Sequence, residues 1–150
     1  MEIDENETLF AAIENESPTI VEDLLKMGYN PDVTNSKGLS PLHLAIHVRN
    51  LEIVKLLLEH NADTNVEDTN GETPLHYAVS RENIKMVKEL LKYAIDIDAE
   101  DDNEITPLMK ALERNQIDVA EILLKNGADI NAPCCFTGET VLHHAAFLEN

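Results

Sequence analysis

The sequence predicts an all-α solenoid of stacked helix-turn-helix units, on three observations. Gly38-Leu39-Ser40-Pro41-Leu42-His43 returns 33 residues later as Gly71-Glu72-Thr73-Pro74-Leu75-His76, and a fixed period of this length marks a repeat architecture. Between the two occurrences, Leu42, Ala45 and Ile46, then Ile53, Val54, Leu57 and Leu58, fall at helical spacing on two short stretches, neither of which can bury its stripe alone. The composition, 43% hydrophobic with only 4% aromatic, supplies a core of Leu, Ile, Val and Ala. A chain of 150 residues is long enough for one such array, spanning 1–150, and needs no second domain.

Taken in order, the first unit runs over about residues 3–33. Thr8-Leu9-Phe10 stands one period before Pro41-Leu42-His43, and Ile20, Val21, Leu24 and Leu25 align with Ile53, Val54, Leu57 and Leu58. It lacks the Pro and the His, as expected of a polar terminal unit that covers one flank of a stack. In the second unit, 36–65, Ser40 is placed to cap a helix with Pro41 in its first turn, where a missing N–H costs nothing. That helix is expected to reach about Val48, and a second to run from about Leu51 to Glu59. Ala45, matched by Ala12, Ala78, Ala111 and Ala145, is small enough to let neighbouring units approach closely.

Asn61 closes the second helix, and Asn tolerates the left-handed conformation of a helix C-terminus. Gly28, Ala94 and Gly127 occupy the matching positions. Ala94 is therefore expected to be strained there by about 1–2 kcal/mol, so that Ala94→Gly would stabilise. Asp68-Thr69-Asn70-Gly71 carries the Asn-Gly chemistry of a tight hairpin, with Asn35-Ser36-Lys37-Gly38 as its counterpart. The third unit, 69–98, repeats the second. The fourth, 102–131, keeps Thr106-Pro107-Leu108 but carries Met109 for the His and Glu104 for the turn Gly. A partial fifth, 136–150, opens with Thr140-Val141-Leu142-His143 after a one-residue insertion near Pro133-Cys134-Cys135. Its missing second helix leaves a flank half covered, which is expected to reflect either a longer array or a weak dimer through that flank.

The 33-residue period and the Ser/Thr-Pro-Leu-His box resemble the ankyrin-repeat family. The resemblance implies a fold in which β-hairpin loops project from the helix pairs, and a function as a non-enzymatic protein-interaction scaffold. It also implies where a partner binds. The end of each first helix, His47 and Val48, Ser80 and Arg81, Glu113 and Arg114, would line a concave face. Lys37 and Leu39, Glu72, and Asp101, Asp102 and Ile105 would belong to the hairpin tips. Gly127 to Gly138, with its extra residue and its Pro-Cys pair, is similar to a lengthened loop of inhibitor-of-NF-κB proteins. That likeness gives a narrower alternative, a binder of a basic transcription-factor segment. A third possibility is a recruiting module of an enzyme continuing beyond residue 150.

Charge limits the partners. Eleven Lys and Arg against 29 Asp and Glu give a net charge of −18, which repels nucleic-acid backbones and anionic membranes. A protein partner of basic character is expected, with Asp101 and Asp102 offering carboxylates at an acidic tip. Two adjacent cysteines close no useful loop, the N-terminus is acidic where a signal peptide would be basic, and no run is long enough to span a bilayer. These features suggest the cytoplasm or nucleus.

No residues announce chemistry. His43, His76 and His143 recur one per unit, too far apart to share a metal; each is expected to bond to the Ser or Thr three residues earlier and to backbone of a neighbouring turn. Cys134-Cys135 lacks the two-residue gap of a zinc pair. The acidic run from Asp96 has Asp101 and Pro107 where a calcium loop needs Gly and Glu. No catalytic residue, metal ligand or cofactor is therefore expected.

Overall fold

The computed structural model describes residues 5–132. The partial fifth unit, the Cys134-Cys135 loop, His143, Ala145 and the expected flank at residues 136–150 lie outside them. The described chain forms eight helices and no strand: α1 (Glu5–Glu14), α2 (Pro18–Lys26), α3 (Pro41–His47), α4 (Leu51–Glu59), α5 (Pro74–Ser80), α6 (Ile84–Leu90), α7 (Pro107–Glu113) and α8 (Ile117–Lys125). None of them is long and apolar enough to cross a membrane. The odd-numbered helices pack in one row and the even-numbered helices in another, and each odd helix also packs on the even helix that follows it. The alanines sit where the odd helices meet: Ala45, Ala78 and Ala111 are wholly buried, and Ala12 nearly so.

Helices α3 to α7 start where the local chemistry directs. Ser40 and Thr73 form capping boxes with His43 and His76, and Thr106 accepts from the Met109 N–H, with Pro in the first turn of α3, α5 and α7. Asn50 and Asn83 cap α4 and α6 by accepting from the N–H of Ile53 and Met86. The sharp turn between the two helices of every unit uses a left-handed residue, namely Glu16, Arg49, Glu82 and Asn115 with φ of 50° to 61°. These non-glycine residues bear a conformational cost of order 1 kcal/mol each.

Three expectations require correction. Ala94 does not share the left-handed conformation of Gly28, Asn61 and Gly127. Helix α6 ends at Leu90, a seven-residue helix where α4 and α8 have nine. The chain thus leaves helical geometry early and passes Ala94 as a bend without positive φ, where its carbonyl accepts from Thr64 Oγ1 at 2.8 Å. Second, the loops are closed only in part as hairpins: Asn35, Asp68 and Asp101 each donate a backbone N–H to the carbonyl four residues on, Leu39, Glu72 and Ile105, at 3.0 to 3.1 Å, but no strand forms among the described residues. In the loop opened by Asp68, the side-chain oxygen Oδ1 takes the N–H of Asn70 at 2.8 Å and of Glu72 at 3.0 Å. Asn35 and Asp101 close their loops in the same way. A side chain thereby accepts the bonds that a strand partner would otherwise take. Third, this closure draws Asp101 and Ile105 inward, and both are buried.

Successive loops stack. Asp102 N–H donates to Asn70 O at 2.9 Å, and Thr69 N–H to Lys37 O at 3.3 Å. On the far side of the helices a second ladder runs through the turns after the even helices. Asp63, Asp96 and Asp129 each take the N–H two residues on, while Asp32, Asn65 and Asp98 take the N–H of Asp63, Asp96 and Asp129 in the next unit at 2.7 to 2.9 Å. Each Asx side chain thus satisfies backbone that no helix or strand reaches.

Candidate functional site

The imidazoles are the links between units. His43 Nδ1 accepts from the Ser40 N–H at 3.2 Å, which leaves Nε2–H to donate to Glu72 O at 2.9 Å. His76 does the same with the Thr73 N–H at 3.1 Å and Ile105 O at 2.8 Å. Each ring is fully buried and is held neutral with its proton on Nε2. Burial lowers both affinities for a second proton, an effect that the accepting carbonyls partly oppose. The expected pairing of each ring with the preceding Ser or Thr and with a neighbouring turn is therefore observed for His43 and His76. These groups support the surface and take no part in it.

Beside His43 lies Tyr77, with ring centroids 4.9 Å apart in an edge-on arrangement, and its hydroxyl donates to Asp68 Oδ2 at 2.9 Å. Burial raises the Tyr77 pKa, and the hydrogen bond to Asp68 raises it further. Burial would raise that of Asp68 as well, but the N–H groups of Asn70 and Glu72 and the Tyr77 hydroxyl outweigh it and hold the carboxylate below its usual range. One unit later Lys110 stands in the Tyr77 position. Its ammonium pairs with Glu72 and lies 3.7 Å from Asp101 Oδ2. The same slot is thus filled by a phenol in one unit and a cation in the next, each answering the carboxylate that closes its own loop.

This changes the accessible surface. Asp101 is buried, its charge faces Lys110, and its Oδ1 holds the N–H of Asn103 and Ile105. Ile105 packs into the core and lends its carbonyl to His76. Both are parts of the scaffold, inaccessible to a partner at the tip, whereas Asp102 and Lys37 are exposed. Glu72 is half-buried and paired with Lys110. Leu39 is half-buried beside Lys37.

The remaining residues expected at the site share one face of the odd-helix row. A cavity of about 420 Å³ is lined by Glu14, Lys37, Leu39, His47 and Val48 among others. Another of about 330 Å³ is lined by Glu72, Tyr77, Ser80, Arg81 and Arg114. The Arg81 guanidinium bridges the two by donating from Nη2 to His47 Nδ1. Partial burial, then the positive charges of Arg81 and Lys37, lower the pKa of His47. Glu113 and Arg114 are exposed at the end of α7.

Gln116 carries a signal that sequence reasoning missed. It stands one period after Asn50 and Asn83, yet it makes no cap, and both polar atoms of its amide are buried without a hydrogen-bond partner. Its side chain is one methylene too long for the cap and lines a cavity of about 470 Å³ with Glu82, Arg114 and Asp118. Among the described residues no group of three or more His, Cys, Asp or Glu is placed to hold a metal ion.

In sequence comparison, residues 9–101 and 93–150 each match the family described as Ankyrin repeats (3 copies). No curated protein matches the chain.

Proposed function

The chain belongs to the ankyrin-repeat family, and from that premise we propose that it is a non-enzymatic scaffold that binds a partner protein through the face formed by the ends of α3, α5 and α7. One observation carries this reading. Beneath that face the second unit is tied to the third and the third to the fourth by the buried, hydrogen-bonded imidazoles of His43 and His76, while His47, Glu113 and Arg114 are exposed and Val48, Ser80 and Arg81 half-exposed above it. A surface held rigidly by its neighbours and open to solvent loses little entropy on docking. Such a division between a conserved-geometry core and variable surface positions is how repeat arrays read partners.

The net charge of −18 supports a partner whose overall surface is basic, because the field of the whole molecule steers association at long range. That steering does not need Asp101; Glu100, Asp102 and Glu104 are exposed and contribute to it. The experiment is affinity capture from extract by the native chain and by a Ser80→Arg, Glu113→Arg double variant with unchanged helical circular dichroism. A partner held by the native chain and lost by the variant is the expected result. Equal capture by both would remove this face from the function.

A further inference from the structure

The chain holds only eleven Lys and Arg among 29 carboxylate residues, so each basic side chain has acids to choose from. Lys26, Lys92, Lys110 and Lys125 are ion-paired, with Glu22, Glu89, Glu72 and Glu121. Among the described residues no arginine is ion-paired with a carboxylate, and neither is Lys37. Lys37, Arg81 and Arg114 all line the two cavities of the odd-helix face. Arg81 instead spends a donor on the neutral His47, a neighbour that cannot balance its charge. Of the carboxylates along this strip, Glu72 faces Lys110 and Glu14 borders only the cavity on the Lys37 side, while Glu82 and Asp118 share the Gln116 cavity with Arg114 without forming an ion pair with it.

A guanidinium left unpaired in so acidic a chain keeps its fork of donors available for an incoming carboxylate, which it can hold through two parallel hydrogen bonds. Arg114 also borders the cavity of Gln116, whose buried amide has both a donor and an acceptor unmet. An unpaired guanidinium and an unsatisfied amide thus border one cavity.

We infer that the strip from Lys37 through His47 and Arg81 to Arg114 receives an acidic side chain, Asp or Glu, from an extended segment of the partner protein, with Arg81 and Arg114 as its anchors. This rests on the scaffold reading above and adds the chemistry of the contact. The field of the whole chain is negative and the strip is locally positive, so a bare polyanion is repelled at a distance. A basic partner carrying an acidic residue at the right register is admitted.

The test is a selection of random dodecapeptides displayed on phage against the native chain, followed by affinity measurement of the enriched peptides in solution. Enriched peptides should share an Asp or Glu, and replacing it by Asn or Gln should weaken binding at least tenfold with the protein unaltered. Arg81→Gln and Arg114→Gln should each do the same, while Lys55→Gln, an exposed basic residue on α4, should not. Enriched peptides that bind without any acidic residue would overturn the inference and leave the scaffold reading standing; no enrichment over a bare support would count against both. Free inorganic phosphate and acetate are added as competitors. Displacement by phosphate far below the acetate concentration needed would overturn the carboxylate assignment in favour of a phosphorylated segment.

Discussion

Replacing His76 by Leu removes the polar atoms that tie the third unit to the fourth while nearly keeping side-chain volume, so the effect reads the hydrogen bonds more than a cavity. In the native chain the ring satisfies the Thr73 N–H at 3.1 Å and Ile105 O at 2.8 Å, all in the buried interior. The variant orphans both backbone groups, and each buried unsatisfied group costs about 1–3 kcal/mol. A loss of roughly 2–4 kcal/mol is expected, since water can reach neither group easily. Urea unfolding followed by circular dichroism measures it as a drop in midpoint at unchanged slope. The pH dependence gives a second reading with a definite sign. Burial holds the folded-state pKa of His76 below the ordinary imidazole value of 6.5, so the neutral ring contributes stability that is full above about pH 6.5. That contribution is lost as the pH falls from there through the folded value. His43 behaves in the same direction. The native chain should therefore lose stability on acidification below about pH 6.5, at up to about 1.4 kcal/mol per pH unit for each ring, and His76→Leu should flatten that slope by one proton. A loss under 1 kcal/mol at pH 7.5, or an unaltered slope, would refute the assignment of His76 as a neutral bridge between units.

Four other substitutions follow from the caps and the backbone. Gln116→Asn should restore the cap made by Asn50 and Asn83 and remove two orphaned amide atoms, raising stability by about 1 kcal/mol in the same urea assay; no gain would mean that the amide is already satisfied by solvent. Ala94→Gly should lower stability by about 0.5–1 kcal/mol, because Ala94 has no left-handed strain to relieve and glycine only enlarges the freedom of the unfolded chain. Gly71→Ala should be strongly destabilising, since φ is +71° and an added Cβ would sit 2.8 Å from the Asp102 nitrogen; thermal unfolding should show a fall of at least several degrees, whereas Gly28→Ala, at φ +93° with open space around it, should cost less.

The sequence made the helices and their starts legible because capping and Pro placement are local. Ser40-Pro41 and Thr73-Pro74 set α3 and α5, and the period placed His43 and His76 one unit apart, so their bridging role was readable too. What was hidden depended on neighbours. Ala94 aligns with glycines, but alignment cannot show that α6 stops two residues early. Asp101 reads as one of six carboxylates between Asp96 and Glu104, and only the fold reveals that its side chain turns inward to close a loop facing Lys110. The same applies to Ile105, whose main chain serves His76. The Asx ladder was visible in retrospect, since Asn30-x-Asp32, Asp63-x-Asn65, Asp96-x-Asp98 and Asp129-x-Asn131 recur at the full period. Nothing about Glu16, Arg49 or Glu82 announces a left-handed backbone, because these residue types do not favour it; the geometry of two packed helices imposes it. Gln116 could have been noticed as the break in the Asn50, Asn83 series.

The most direct test of the docking face is a backbone-amide NMR titration of the native chain with an enriched acidic peptide. Binding at the ends of the odd helices should shift the amides of His47, Ser80, Arg81, Glu113 and Arg114, with the even helices unmoved. Shifts confined to Lys55, Lys88 and Glu121 on α4, α6 and α8 would place the partner on the opposite row and contradict the proposed site.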